Sequence, residues 1–166
     1  MDNAFGMVLF ILFSGAGLIS LLAAVNLLFP APVQRTREAL EASMGRAFLL
    51  GLVNGLFLLV VGALLLRLGE GAGGVIGAIL ILLLLCLILG LVIFVTVGLA
   101  AFTRLTGERM GAGKSVFGNH LRGGALIVLA GLTPYLGWFV FTPFVLFAGL
   151  GAAIQAAIRR KPAPVG

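Results

Sequence analysis

The sequence predicts an all-α integral membrane protein, a bundle of about four transmembrane helical segments whose last segment is broken into a hairpin or a kinked helix. Three observations predict it. Of the 166 residues, 61% are hydrophobic and only 10% are charged, against roughly a quarter charged in a soluble domain. The mean hydropathy is +1.25. Four apolar stretches reach or exceed the roughly 20 residues that cross a bilayer as a helix. These features exclude a soluble enzyme, a disordered tail and a β-barrel, and the length suits a single membrane domain over residues 1–166.

The first segment covers residues 5–29 and stops at Pro30. Only Asp2 precedes its apolar run, so it lacks the basic start of a secretory leader and reads as a retained anchor. Asn26, near its end, is expected at headgroup depth. Residues 31–46 form a polar connection in which Val33, Leu40 and Met44 share one helical face, while Arg37 and Glu41 are spaced to pair. This pattern fits a short amphipathic helix along the membrane surface or a solvated linker. The second segment, residues 47–66, contains one polar side chain, Asn54, and a Gly-rich turn follows Arg67. The third segment, residues 75–102, is long enough to span with tilt. A basic loop is expected over residues 103–124. The final apolar stretch, 125–158, is too long for one simple span and is interrupted by Thr133-Pro134-Tyr135-Leu136-Gly137-Trp138. A basic, proline-bearing tail occupies 159–166.

The basic residues set an orientation. The net charge is +6, and the lysines and arginines all lie between or beside apolar segments, which points to a membrane surface rather than nucleic acid. Arg35, Arg37 and Arg46 lie in the first loop. Arg104, Arg109, Lys114 and Arg122 lie in the third, and Arg159, Arg160 and Lys161 lie in the tail. The positive-inside rule places these groups in the cytoplasm, with the N-terminus and Arg67 outside, in a bacterial inner membrane. A tail on the cytoplasmic side requires the last segment to turn back. Pro134 and Gly137 supply the break, and Tyr135 and Trp138 suit an interfacial depth. Anionic lipid at the cytoplasmic face is the implied partner of the basic residues.

Reactive chemistry is sparse. Gly113-Lys114-Ser115 looks like the end of a phosphate-binding loop, but the position needing the first glycine is Glu108, whose carboxylate would repel phosphate. His120 has no companion ligands, and Cys86 sits mid-segment as an apolar thiol, so no metal or cofactor is expected. No span carries a central Asp, Glu, Lys or Arg for a proton relay, and no catalytic set is apparent. What remains is packing. Gly51 and Gly55 form G-x-x-x-G, Gly62 extends the stripe, Ala47 begins it, and Asn54 beside it could hydrogen-bond to a neighbouring helix.

The Thr133–Trp138 break, the Gly149-Leu150-Gly151-Ala152 arm, the Arg159-Arg160-Lys161 tail and the Gly45–Gly51 entry resemble a known module. It is the polytopic membrane module attached to bactofilin-like, polymer-forming cytoskeletal proteins of bacteria, and the resemblance covers residues 34–164. The chain departs from it in having the 5–29 anchor in place of a bactofilin β-helix, and Val97-Gly98-Leu99 where a Gly-Ile-Pro break is expected. The resemblance implies no catalytic residues. These readings together suggest a non-catalytic anchor, scaffold or accessory subunit of a larger membrane assembly, an energy-transducing complex among the candidates. The alternative is a small transporter or channel in which Thr133, Tyr135 and Thr142 of the broken segment line a path.

Overall fold

The structure is a computed structural model that describes residues 2–110 and 116–158, with the side chains of 2–4, 116, 117 and 120 set aside. It is an all-α membrane bundle. Helix α1 runs Asp2–Leu28 and ends where it must, because Pro30 forces Phe29 out of helical geometry (φ −125°, ψ 58°). Pro30 itself opens α2, Pro30–Ala42, since the first helical position needs no backbone donor. A single non-helical residue, Ser43 (φ −167°), separates α2 from α3, Met44–Ala72.

Helix α3 and helix α4, Gly74–Arg109, form a long hairpin. The chain reverses at Gly73 and Gly74, which have φ of +58° and +55°, a conformation that only glycine adopts cheaply. The expected turn after Arg67 is therefore helical through Ala72. The expected basic loop is also largely helical. Helix α4 continues to Arg109, and α5, Val116–Leu132, begins before the anticipated start at residue 125. The extension persists because Thr103, Leu105 and Gly107 are buried against neighbouring helices, which gives this charged stretch a packed face.

After α5 the chain turns at residues 133–136, where the Thr133 hydroxyl donates to the Ala130 carbonyl at 2.6 Å. A π-helical turn, Gly137–Phe141, leads into α6, Thr142–Ile158. The wide turn has a local cause. Pro143 has no N–H to offer the Phe139 carbonyl, and Thr142 donates five residues back, to Gly137.

Backbone approaches at glycines fix the helix directions. Gly69 meets Gly77 and Gly62 meets Leu84, so α3 and α4 are antiparallel. Gly107 meets Asn119 and Gly123 meets Thr103, which makes α5 antiparallel to α4. Gly51 meets Phe147 and Gly151 meets Ala47, which makes α6 antiparallel to α3. Helices α5 and α6 thus run in opposite senses, and the last segment is a hairpin rather than one kinked helix. Among the described residues, four helical stretches are long and apolar enough to cross a membrane, namely Phe5–Leu28, Met44–Ala72, Gly74–Arg109 and Gly137–Ile158. Helix α5, with 17 residues, is about 25 Å long at 1.5 Å per residue, and its apolar stretch is only Leu121–Leu132.

The core lies at the α2 end of the bundle. Leu22, Val33, Leu40, Ala47, Ala100, Ala101, Leu105, Val145, Ala148 and Ala152 form one buried cluster. Phe48 stacks on Phe144 at a centroid distance of 5.3 Å and meets Phe147 edge-on. Away from this end, the α3–α4 hairpin and the first half of α1 expose Leu, Ile, Val and Phe almost continuously. That distribution suits hydrocarbon, because lipid tails solvate such faces as well as a protein core does.

Candidate functional site

The most highly organised polar region is where α2 docks into the bundle. Its apolar face buries Val33, Thr36, Ala39 and Leu40, packed against α4 and α6. The helix is amphipathic as its spacing predicts, but it ends at Ala42, and Met44, expected on the same face, opens α3 at the edge of the core. It is not a solvated linker, because its apolar face is buried against α4 and α6 and Arg37 on its polar face pairs with α4. On the polar face, Arg37 donates to Glu41 at 3.0 Å, the spacing expected one turn apart. The same guanidinium reaches Glu108 on α4 at 2.6 Å. Glu108 also accepts from Arg104 Nε at 3.1 Å. The result is an alternating chain, Arg104–Glu108–Arg37–Glu41, with no net charge. Arg37 Nε is buried with no hydrogen-bond partner among the described residues.

A second polar contact lies one layer inside. Asn26 is only 4% exposed, so it faces the protein interior. Its amide donates to Leu22 O at 2.9 Å within α1 and to Ala100 O at 3.1 Å across to α4. Thr103 Oγ1 lies at 3.4 Å, and itself donates to Ala100 O. A polar side chain near the end of an apolar run carries no local sign of which way it faces. Burial becomes favourable here because the small Ala100 and Ala101 let the two backbones approach.

The small-residue stripe of α3 is used internally. A Cβ on Gly51 would fall onto the Phe147 carbonyl oxygen, and one on Gly55 would come within 2.8 Å of the Phe147 ring. Gly62 is looser, 3.5 Å from a Leu84 methyl. Asn54 does not bond across this interface. It donates at 2.8 Å to Leu50 O in its own helix. Equivalent seams missed in the sequence join Gly98 to Gly149, Gly107 to Asn119 and Gly123 to Thr103. Gly149 and Gly151 were visible as a G-x-G pair, but which helix they met was not.

At the α5–α6 turn, Pro134, Tyr135 and Trp138 are exposed while Gly137 is buried, its position leaving room for the Gly131 carbonyl 2.8 Å from where a Cβ would be. Tyr135 has φ +65° and is 81% exposed, so it strains its backbone while standing clear of the bundle. Of the path residues in the transporter reading, Thr133 bonds its own helix and Tyr135 faces outward, so the turn does not converge its polar groups on a channel. Thr142 instead lines, with Ser14, an apolar groove between α1, α5 and α6.

The basic residues separate into two sets. Arg35, Arg46, Arg109 and Arg122 are exposed. Arg37 and Arg104 are half-buried in the ion-pair chain, so they do not project as free surface cations. Lys114, Arg159, Arg160 and Lys161 lie outside the described residues, as do most of the loop resembling a phosphate-binding motif and the side chain of His120. Cys86 is exposed on the apolar face of α4. Among the described residues no group of three His, Cys, Asp or Glu side chains converges. No family model matches the chain, and neither a curated protein nor a solved structure is similar to it.

Proposed function

We propose that this multi-pass membrane protein is a non-catalytic anchor, scaffold or accessory subunit of a larger bacterial inner-membrane assembly. One observation carries the reading. The buried core and the ion-pair chain lie at one end of the bundle, whereas the α3–α4 hairpin, closed at its tip by the Gly69–Gly77 approach, extends from that end with Leu, Ile, Val and Phe side chains exposed along most of its outer surface. The packed end supports a rigid base, and the hairpin supports a broad surface for neighbouring transmembrane helices. The four members of the ion-pair chain neutralise one another, which suits fixing α2 in place more than moving protons. The resemblance to the bactofilin-associated module adds support for a tethering role, without the polymer-forming domain. In this reading the basic end, with both termini of the α5–α6 hairpin, faces the cytoplasm, and the α3–α4 turn and the N-terminus face outside.

Extraction in a mild detergent followed by native mass spectrometry tests the proposal. The expected result is a set of stoichiometric co-migrating membrane subunits. A chain that is extracted intact and migrates alone at every mild-detergent condition overturns it.

A further inference from the structure

The groove between the α1–α2 corner and the crossing of α4 and α6 has a chemistry the anchor role leaves unused. It encloses about 550 Å³, within the range of roughly 300–1,000 Å³ typical of small-ligand sites. Its walls are Val25 of α1, Val92 and Val97 of α4, and Ala153 and Ala156 of α6. The alanines leave the space, because α6 presents methyl groups where larger side chains would close the gap. Two threonines also border it, but each hydroxyl hydrogen is already committed to its own helix, Thr36 to Pro32 O at 2.9 Å and Thr96 to Val92 O at 2.7 Å.

The rim is different. Among the described residues, Arg35 is the one charged residue lining the groove and makes no ion pair, and the lining includes no carboxylate. Phe29 and Pro32, where α1 hands over to α2, border the same rim. A guanidinium favours an anion at the mouth, and an apolar trough leads inward from it. A free phosphate would leave the trough empty, and a neutral lipid would leave the cation unpaired.

We infer that this groove is a binding site for one anionic phospholipid, with its phosphate on Arg35 and an acyl chain along Val92, Val97 and Ala156. The inference is independent of the scaffold role, since a lone chain would still carry the groove.

The test uses the full-length protein in detergent, exchanged with phosphatidylglycerol or phosphatidylcholine of matched chains and examined by native mass spectrometry. The wild type is expected to retain one phosphatidylglycerol about tenfold better than phosphatidylcholine, the ratio that corresponds to 1.4 kcal/mol. Arg35→Gln should abolish that preference, Arg35→Lys should keep part of it, and Arg46→Gln, away from the groove, should leave it intact. Ala156→Phe fills the trough without altering charge and should remove retention of both lipids. Equal retention of the two lipids by the wild type overturns the inference, and so does a preference that survives either Arg35→Gln or Ala156→Phe. If Arg35→Gln does not fold, Ala156→Phe alone decides the matter.

Discussion

Gly51→Ala is the sharpest probe of the packed end. The added methyl would overlap the Phe147 carbonyl and approach Gly151 N to 2.8 Å, both backbone atoms that cannot swing aside. Packed heavy atoms sit about 3.5–4 Å apart, so α6 must retreat by roughly 1.5–2 Å at the Phe147 carbonyl, which forfeits at least about half of each contact along the seam. Taking roughly 40 atom pairs, about what one buried leucine makes, at about 0.15 kcal/mol each, the loss is about 3 kcal/mol. That is the upper end of the usual cost of overpacking, about 1–3 kcal/mol. For a chain of this size the thermal midpoint should fall by about 5–10 °C. Heating in mild detergent, with size-exclusion of the surviving monodisperse fraction, measures it. Gly55→Ala should cost less, since it meets only the edge of the Phe147 ring, and Gly62→Ala should be near neutral. Gly90→Ala, with nothing within 4 Å, should hold or raise the midpoint, because alanine is the better helix former. Equal midpoints for Gly51→Ala and Gly90→Ala would refute the reasoning, as would a Gly62→Ala loss as large as that of Gly51→Ala.

Three further outcomes follow from the polar contacts and the hairpin. Arg37→Ala and Glu108→Ala should be coupled in a double-mutant cycle by about 1 kcal/mol, weakening in 0.5 M salt, since the pair is only half-buried; a coupling of zero at low salt would mean that α2 is held by its apolar face alone. Asn26→Ala should lower stability by about 1–2 kcal/mol and Thr103→Val by about 0.5 kcal/mol, the scale of interhelical hydrogen bonds in membranes, and detergent unfolding midpoints rank the two. In a Cys86→Ser background, Pro164→Cys should resist a membrane-impermeant thiol reagent in intact cells while Glu70→Cys reacts. Labelling of Pro164→Cys from outside would contradict the proposed orientation.

The spans, the α3–α4 hairpin and the break at Pro134 were legible in the chain because each depends on local chemistry. An apolar run of sufficient length must be helical in lipid. Paired glycines permit the left-handed reversal at Gly73 and Gly74, and a missing donor at Pro143 widens the turn before α6. Even the reversal of the last segment could be argued from where three clustered basic residues can rest. Helix ends were less legible, because Thr103 to Arg109 are polar enough to read as loop until neighbouring helices bury them.

What only the tertiary structure decided was which faces meet. Arg37 and Glu41 are one helical turn apart and their pairing is written in the spacing, but Glu108 lies far along the chain and reaches Arg37 only because α4 outruns its apolar stretch. Asn26 ends an apolar run with no sign of which way it faces, and the small side chains of α4 bring the Ala100 carbonyl within 3.1 Å of its amide. The Gly51 stripe announced a close helix approach without naming Phe147 and Gly151 as its partners. Hydrophobic run length is a property of consecutive residues, so sequence alone sets which segments enter the bilayer. The choice among helix faces rests on backbone approaches of a few ångströms between distant residues, and that choice belongs to the folded chain.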